Sequence, residues 1–368
     1  MAIPSIALIP SGYKAQKVYS VLPTNGDADL TFARASSAVR VNQSDLLETV
    51  TTGVPRLDYS DGGCPSLLLE PQSTNLMTYS EDFTQWSVIG TPIVTSNYSI
   101  SPKGILEADR IQLDLGDKVY LTSNQSGSLT FSIYLKGSGT VDLRDSDNSS
   151  RLTVALTNQW VRYSFSFNEP ISNIQISQVT GSSDFSAWGA QLEQQSYATS
   201  YIATAGAIAT RLAETASKTG LASYINSTEG VLYFSAKALA NNLTFRFISL
   251  SDGTTANCIQ VYWRTSSNQL VFAYIKNSVI TSNITYTLSD ITQLNKYAVK
   301  WKENDFALWI NGVEVAVNSN GGVLTSSILN RLAFDNGSGS SVFYSETKDL
   351  RVYNTALTDA ELTTLTTL

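Results

Sequence analysis

One stretch of the chain, residues 296–317 (KYAVKWKENDFALWINGVEVAV), constrains the fold more than any other. Its apolar side chains recur at every second position, which is the period of a strand with one buried face. The pattern runs through Tyr297, Val299, Trp301, Phe306, Leu308, Ile310, Val313, Val315 and Val317. Before the third run, Asn311-Gly312 is a pair that tolerates the positive φ angles of a type I′ hairpin turn. The stretch therefore predicts three consecutive antiparallel strands that share one apolar face.

A three-stranded sheet of this kind is not stable alone in water and needs a second layer to cover its apolar face. Alternating runs recur along the chain, separated by turn clusters, at 129–135, 161–167, 185–192, 259–263 and 270–274. The chain of 368 residues is too long for one sandwich and suits two or three domains. We therefore predict an all-β protein with two tandem β-sandwich (jelly-roll) domains after an N-terminal attachment arm.

The positions of the alternating runs also predict the domain boundaries. We expect an N-terminal arm over 1–63, a first sandwich over 64–205, a linker over 206–220 and a second sandwich over 221–368. The arm contains only short extended pieces, and the linker has few large apolar side chains. Near the end, Thr358-Asp359-Ala360-Glu361 is a capping box, which predicts a short terminal helix.

Composition excludes several classes of function. The net charge is −7 and the sequence pI is near 4.8, so we do not expect a nucleic-acid partner, because Lys and Arg dominate phosphate binding. The chain has no histidine, which excludes Ser-His and Cys-His catalysis and removes the commonest ligand for zinc and iron.

The cysteines and the N-terminal residues indicate the compartment in which the chain folds. Cys64 and Cys258 are far apart in sequence and do not make a disulfide framework, so we expect folding in a reducing cytoplasm. The N-terminal residues have no basic region before their short, proline-interrupted apolar stretch. We expect neither a secretory signal nor insertion into a membrane.

Two blocks of sequence resemble known families. Residues 296–317, with the ending DLRVYNTALTDAELTTL, resemble the concanavalin A-like or laminin G-like jelly rolls. The strings SLLLEPQSTNLMTYSEDFTQW and WGAQLEQQSYATSYIATAGAIATR are similar to a recurring cassette of bacteriophage structural and tail-fibre proteins. In that cassette a carbohydrate-binding-like sandwich lies between the two strings.

These resemblances imply a non-enzymatic phage virion protein, made in the host cytoplasm, that forms part of a fibre, spike or tail or head decoration. Lectin-like modules would attach to a host-surface glycan, and the N-terminal arm would bind other virion proteins. Such proteins are usually homo-oligomers, most often trimers. The alternatives are a polysaccharide depolymerase, a purely structural virion component, and a bacterial surface or secreted protein that binds carbohydrate.

Glycan binding by a sandwich would use exposed aromatic rings that stack on sugars beside groups that bond hydroxyls. Tyr262 and Trp309 each lie on the opposite face of their strand from its apolar set, and Arg264 shares the polar face of Tyr262. We name Tyr262, Arg264 and Trp309 as the candidate ligand-binding residues. The alternative, which the sequence alone favours, is that another subunit or domain covers these rings.

Catalysis on a glycan would need two carboxylates across the scissile bond. Laminarinase-type sandwich glycosidases carry them as Glu-x-Asp-x-x-Glu on one strand, and the nearest match, residues 107–112 (EADRIQ), ends in an amide. We therefore expect Glu107 and Asp109 to be surface charges, and we assign no catalytic residue.

No cofactor is expected, but calcium, the usual ion of laminin G-like domains, stays open. The oxygen-rich candidates are residues 145–148 (DSDN), Asp252 and residues 335–337 (DNG). The first lacks the glycine and the distal glutamate of an EF-hand loop, and we expect a solvated turn at each.

Overall fold

The computed structural model of the protein describes residues 2–146, 150–325 and 328–368. The all-β prediction is confirmed: strands dominate, with a 3₁₀ turn at Phe83–Gln85 and the predicted terminal helix. In chain order the elements are β1 (Ile6–Leu8), β2 (Tyr13–Lys14), β3 (Lys17–Val18), β4 (Leu30–Ala33), β5 (Ala38–Val41), β6 (Leu47–Val50), β7 (Arg56–Asp58), β8 (Ser66–Leu69), β9 (Ser73–Asn75), β10 (Ser87–Ile89), β11 (Ile93–Ile100), β12 (Leu106–Leu113), β13 (Lys118–Gln125), β14 (Leu129–Ser138), β15 (Thr140–Asp145), β16 (Ser150–Ala155), β17 (Val161–Phe167), β18 (Ile171–Ser177), β19 (Ser183–Glu193), β20 (Ala209–Arg211), β21 (Thr215–Thr219), β22 (Glu229–Ala238), β23 (Arg246–Ser251), β24 (Cys258–Trp263), β25 (Gln269–Lys276), β26 (Val279–Thr287), β27 (Asn295–Lys302), β28 (Phe306–Ile310), β29 (Val313–Asn318), β30 (Arg331–Ala333), β31 (Ser345–Tyr353) and α1 (Asp359–Thr366).

The chain forms two compact units whose segments interleave. Unit 1 contains the chain up to Ala35, then Val50–Pro71 and Ala213–Leu368, and unit 2 contains Ser36–Thr49 and Gln72–Leu212. These units differ from the predicted segments, because the expected arm and the expected linker are each divided between both units. The difference arises from long-range strand pairing, which the sequence pattern does not reveal.

Unit 1 is a sandwich of two sheets. One runs β29-β28-β27-β22-β31-β8-β7, with β1 also on β31, and the other runs β2-β3-β4-β21-β30-β23-β24-β25-β26. Side chains of both sheets, such as Val299 and Phe272, share one apolar core. Ile6 and Phe32 belong to the same core, and their strands pair with β31 and β21. The expected N-terminal arm is therefore an integral part of unit 1 as far as Ala35.

A buried cluster of charges joins the three segments of unit 1. Arg34 comes from the first segment, Arg56 and Glu70 from the second, and Glu214 from the third, and all four are buried. Glu214 accepts from Arg34 Nη1 at 2.6 Å and from Arg56 Nε at 2.9 Å, while Arg56 Nη1 donates to Glu70 at 2.7 Å. Burial opposes the charge of Arg56, but Glu214 and Glu70 outweigh it and raise the pKa of the guanidinium. The cluster therefore holds separate stretches of chain in one fold.

Unit 2 is a second sandwich with its own core. Its sheets run β10-β13-β18-β15-β16 and β11-β12-β19-β14-β17, and β5–β6 and β9–β20 form separate pairs. Leu143 and Ile176 of the first sheet and Ile133 and Phe185 of the second lie in that core. On the opposite face of the second sheet, Trp188 is fully buried in a smaller cluster.

The three predicted strands of residues 296–317 are present as β27, β28 and β29. The inward residues of β27 and β28 are buried in the unit 1 core, as predicted. Asn311 and Gly312 have φ values of 50° and 85°, as the expected hairpin turn requires. Strand β29 differs, since it lies at the sheet edge and Val313 and Val317 are exposed.

The terminal helix α1 has the predicted capping box. The Thr358 hydroxyl accepts from the backbone N–H of Glu361, and the Glu361 carboxylate accepts from the backbone N–H of Thr358. Among the described residues, no helix is both long enough and apolar enough to cross a membrane.

Candidate functional site

The candidate site lies on one face of strands β23 to β26 in unit 1. Alternate residues of these strands, Ile248, Val261, Phe272 and Ile284, point into the core. The strand register places the intervening residues Phe247, Tyr262, Val271 and Thr285 in one row on the opposite face. This face therefore presents side chains that the core does not use.

Three rings on this face form an aromatic patch, defined here as Phe245, Phe247 and Tyr262. The rings of Phe247 and Tyr262 stack with centroids 4.2 Å apart and planes 24° apart. Phe245 precedes β23 and its ring centroid lies 5.8 Å from that of Phe247 and 6.0 Å from that of Tyr262. Phe245 is 41% exposed, whereas Phe247 and Tyr262 are half-buried. The three rings of the patch thus pack against one another and form an aromatic surface that is accessible to solvent.

One cation borders the aromatic patch. Arg264 follows β24 with an exposed side chain, and its charge acts on the Tyr262 phenol. Arg246 alternates with Phe247 and instead lies over the Tyr344 ring, 5.0 Å from its centroid. Partial burial raises the pKa of the Tyr262 phenol, and the charge of Arg264 opposes this effect only in part. The Tyr262 hydroxyl is therefore neutral and able to donate a hydrogen bond at physiological pH.

This arrangement suits a ligand that is both apolar and polar. Flat rings can pack against apolar C–H groups of a ligand, and guanidinium and phenol groups can bond its hydroxyls at the border. The combination of a few polar groups around an aromatic surface is typical of small-molecule binding sites.

The structure separates the three predicted site residues. Tyr262 and Arg264 lie at the aromatic patch, as the pattern of their strand indicated. Trp309 is only 5% exposed, because Leu362 and Leu365 of helix α1 pack with it in one apolar cluster. The prediction that Trp309 is an exposed ring is therefore wrong, and the cover comes from the chain's own terminal helix.

Two members of the patch, Phe245 and Phe247, are absent from the candidates that the sequence predicts. Phe247 alternates with the buried Ile248 in the same way that Tyr262 alternates with Val261. That signal could have found Phe247. Phe245 precedes the strand but lies two positions before Phe247, so the same alternation could have found it as well.

The carboxylates of the glycosidase-like string are already engaged within unit 2. Asp109 is buried and accepts from the backbone N–H groups of Phe83 at 2.8 Å and Asn97 at 2.9 Å. Burial raises the pKa of Asp109. Glu107 accepts from the Ser101 hydroxyl at 2.9 Å. The expectation of two surface charges is thus wrong for Asp109, whose hydrogen bonds serve the fold.

The calcium candidates also have protein partners. Asp252 accepts from Thr254 and Asn257, and these hydrogen bonds lower the pKa of Asp252 although burial opposes the shift. Asp335 pairs with Arg331. In the oxygen-rich string 145–148, Asp145 pairs with Arg151, and Asp147 and Asn148 lie outside the described residues. Within the described ranges, no group of three or more His, Cys, Asp or Glu residues is placed to hold a metal ion.

Part of unit 1 matches a known protein family. Residues 232–363 match the family model Laminin_G_3, described as the concanavalin A-like lectin/glucanases superfamily. The match contains the aromatic patch and confirms the C-terminal resemblance, so residues 232–363 of unit 1 form a concanavalin A-like domain. No curated protein matched the chain by sequence.

Several solved structures match part of the chain at low identity and low TM-score. The Ruminococcus gnavus IT-sialidase CBM40 is 17% identical, with a TM-score of 0.32, over 39% of this chain and 84% of that one. Domain 4 of AbnA, a GH43 extracellular arabinanase from Geobacillus stearothermophilus, is 15% identical, with a TM-score of 0.30, over 44% and 77%. The SAP-like pentraxin from Limulus polyphemus is 15% identical, with a TM-score of 0.30, over 38% and 71%. TM-scores this low carry no conclusion about function.

Proposed function

We propose that the protein is a non-enzymatic glycan-binding component of a bacteriophage virion, and that the aromatic patch of unit 1 contacts a host-surface glycan. The observation that carries this proposal is the patch itself. Phe245, Phe247 and Tyr262 lie together on the sheet face opposite the core, inside the region that matches a lectin-like family.

The virion assignment has a different support. It comes from the strings at residues 66–86 and 188–211, which resemble the phage structural and tail-fibre cassette. Partners would be other virion proteins, and the chain would assemble as a homotrimer. Because residues up to Ala35 are integral to unit 1, a folded surface would make the virion contact. A mass measurement of the purified protein in solution tests the trimer, and a monomer at all concentrations would contradict it.

Binding without cleavage is the central expectation. Purified full-length protein is incubated with envelope polysaccharide from candidate host cells, and both retention and new reducing ends are scored in the same sample. We expect retention without new reducing ends. New reducing ends would instead support the depolymerase alternative, and absence of both signals across the hosts would favour a purely structural role.

Substitutions in the aromatic patch test whether retention on the polysaccharide depends on it. Phe245→Ala and Tyr262→Ala remove rings from the patch, and we expect each to weaken retention about three- to tenfold, the effect of losing one aromatic contact. Tyr19→Ala is the matched control, because Tyr19 is also an exposed aromatic residue of unit 1. Equal retention by the wild type and both patch variants would refute the role of the patch.

A further inference from the structure

Unit 2 contains a polar cavity of about 340 Å³ that is separate from the site described above. Its volume falls within the range of small-molecule sites, roughly 300–1,000 Å³. The strand register places Ile93, Gln112, Asp184 and Ser138 in one row across β11, β12, β19 and β14, and all four line the cavity. The cavity therefore rests on a continuous strip of sheet.

A fixed carboxylate forms part of its wall. Arg110 Nε donates to Asp184 Oδ1 at 2.7 Å, and its Nη2 donates to the other carboxylate oxygen. The Tyr98 ring lies 4.8 Å from the Arg110 guanidinium and is 52% exposed. Because Arg110 holds it in a bidentate geometry, Asp184 presents acceptor oxygens in a set orientation.

The neighbouring polar groups are also held in place. The Ser183 hydroxyl donates to the Thr140 carbonyl at 3.3 Å. Gly139 has a φ of +103°, and a Cβ there would lie 2.2 Å from Ser183 Oγ, so only glycine allows this close approach. Asp117 accepts from the backbone N–H of Thr91 at 2.9 Å and thereby fixes the adjoining loop.

The charges of the cavity restrict its ligand. Asp114, Asp117 and Asp184 line it, so an anionic ligand would meet like charge. No described grouping of His, Cys, Asp and Glu is arranged for a metal ion. Hydroxyl, amide and carboxylate groups beside the exposed Ile93 instead offer donors, acceptors and an apolar contact to one small ligand.

We propose that this cavity is a second binding subsite, specific for a neutral sugar, in which Gln112, Asp184 and Ser138 bond the hydroxyls. Arg110 is a positioning residue that orients Asp184. The subsite is independent of the aromatic patch, which lies in the other unit.

The test uses the full-length protein and four defined probes. Saturation-transfer NMR measures binding of lactose, cellobiose and N,N′-diacetylchitobiose, which are neutral, and of a sialylated trisaccharide, which is anionic. Ser182→Tyr fills the cavity from an exposed position, and Gln112→Ala removes the amide. Ser164→Tyr makes the same change as the first variant at an exposed position of β17 and is the matched control.

We expect at least one neutral disaccharide to bind and its affinity to fall about fivefold or more in Ser182→Tyr and Gln112→Ala, as for a lost hydrogen bond or a blocked site. Binding should persist in Ser164→Tyr, and binding of that disaccharide by this subsite should also persist in Tyr262→Ala. Failure of all neutral probes, an unchanged affinity in Ser182→Tyr, or a preference for the anionic probe would overturn the subsite. A loss in Tyr262→Ala alone would assign the sugar to the patch and leave the cavity without a role.

Discussion

The two units present their candidate surfaces in contrasting ways. In unit 1 a row across β23 to β26 carries stacked rings, whereas in unit 2 a row across β11, β12, β19 and β14 carries an amide, a carboxylate and a hydroxyl inside a cavity. Ring contacts tolerate differences in ligand structure, whereas oriented hydrogen-bonding groups favour a ligand whose donors and acceptors match them. The same sandwich architecture can therefore offer a permissive surface in one unit and a selective one in the other.

The largest effect on stability should come from the buried charge cluster of unit 1. Unit 2 serves as the internal reference in the same molecule. Glu214→Gln leaves Arg34 and Arg56 buried without full compensation, and we expect it to destabilise unit 1 by about 3–5 kcal/mol. Hydrogen exchange followed by mass spectrometry should show faster exchange in β22 and unchanged protection in β14.

A control for this experiment is Lys302→Ala. The ion pair between Lys302 and Glu229 is long, at 3.7 Å, and Lys302 is exposed, so its loss should cost no more than about 0.5 kcal/mol. Equal effects of the two variants would show that the buried cluster does not hold unit 1 together.

The next largest effect is the difference in stability cost between removing a buried ring and removing an exposed ring of unit 1. Trp309→Ala removes a large side chain from the cluster under α1 and should lower the free energy of unfolding by about 3 kcal/mol. Phe245→Ala should change it by less than about 1 kcal/mol, because Phe245 is exposed. Chemical denaturation measures both, and a larger cost for Phe245→Ala would reverse our assignment of core and surface.

A smaller effect tests whether the two surfaces act together on a polymer. If both bind one polysaccharide, retention by the double variant Tyr262→Ala/Ser182→Tyr should fall by more than the product of the single effects, since two linked sites reinforce each other. Retention on immobilised polysaccharide measures this. A double variant that matches the weaker single variant would show that only one surface binds.

The smallest effect is the change in stability at acidic pH that depends on Asp184. Arg110 holds the pKa of Asp184 below its ordinary value of 3.8. The folded protein therefore gains stability from this carboxylate above that value, and the gain is lost as the pH falls from the ordinary pKa through the lowered one. The pair is partly exposed and the shift in denaturation midpoint should be small. The difference between the wild type and Asp184→Asn should shrink over this window, whereas the difference between the wild type and Ser164→Ala should not change with pH.

The candidate site was only partly predictable. The alternation of β24 indicated that Tyr262 and Arg264 lie away from the core, and the structure agrees. The same reasoning failed for Trp309, because alternation shows which face a residue occupies but not what covers that face. Helix α1 was itself predictable from its capping box, yet its packing against β28 depends on contacts across the fold.

The sequence by itself determined the strands of residues 296–317, their hairpin turn and the terminal helix, because each depends on neighbours within a few residues. Tertiary structure decided the rest. Pairing of β1 with β31 and of β4 with β21 makes the N-terminal segment part of unit 1, although more than 180 residues separate the paired strands. Likewise, Gln112, Asp184 and Ser138 meet only because three distant strands share a register. Such pairings follow from the packing of whole sheets around a core, and no local pattern encodes them.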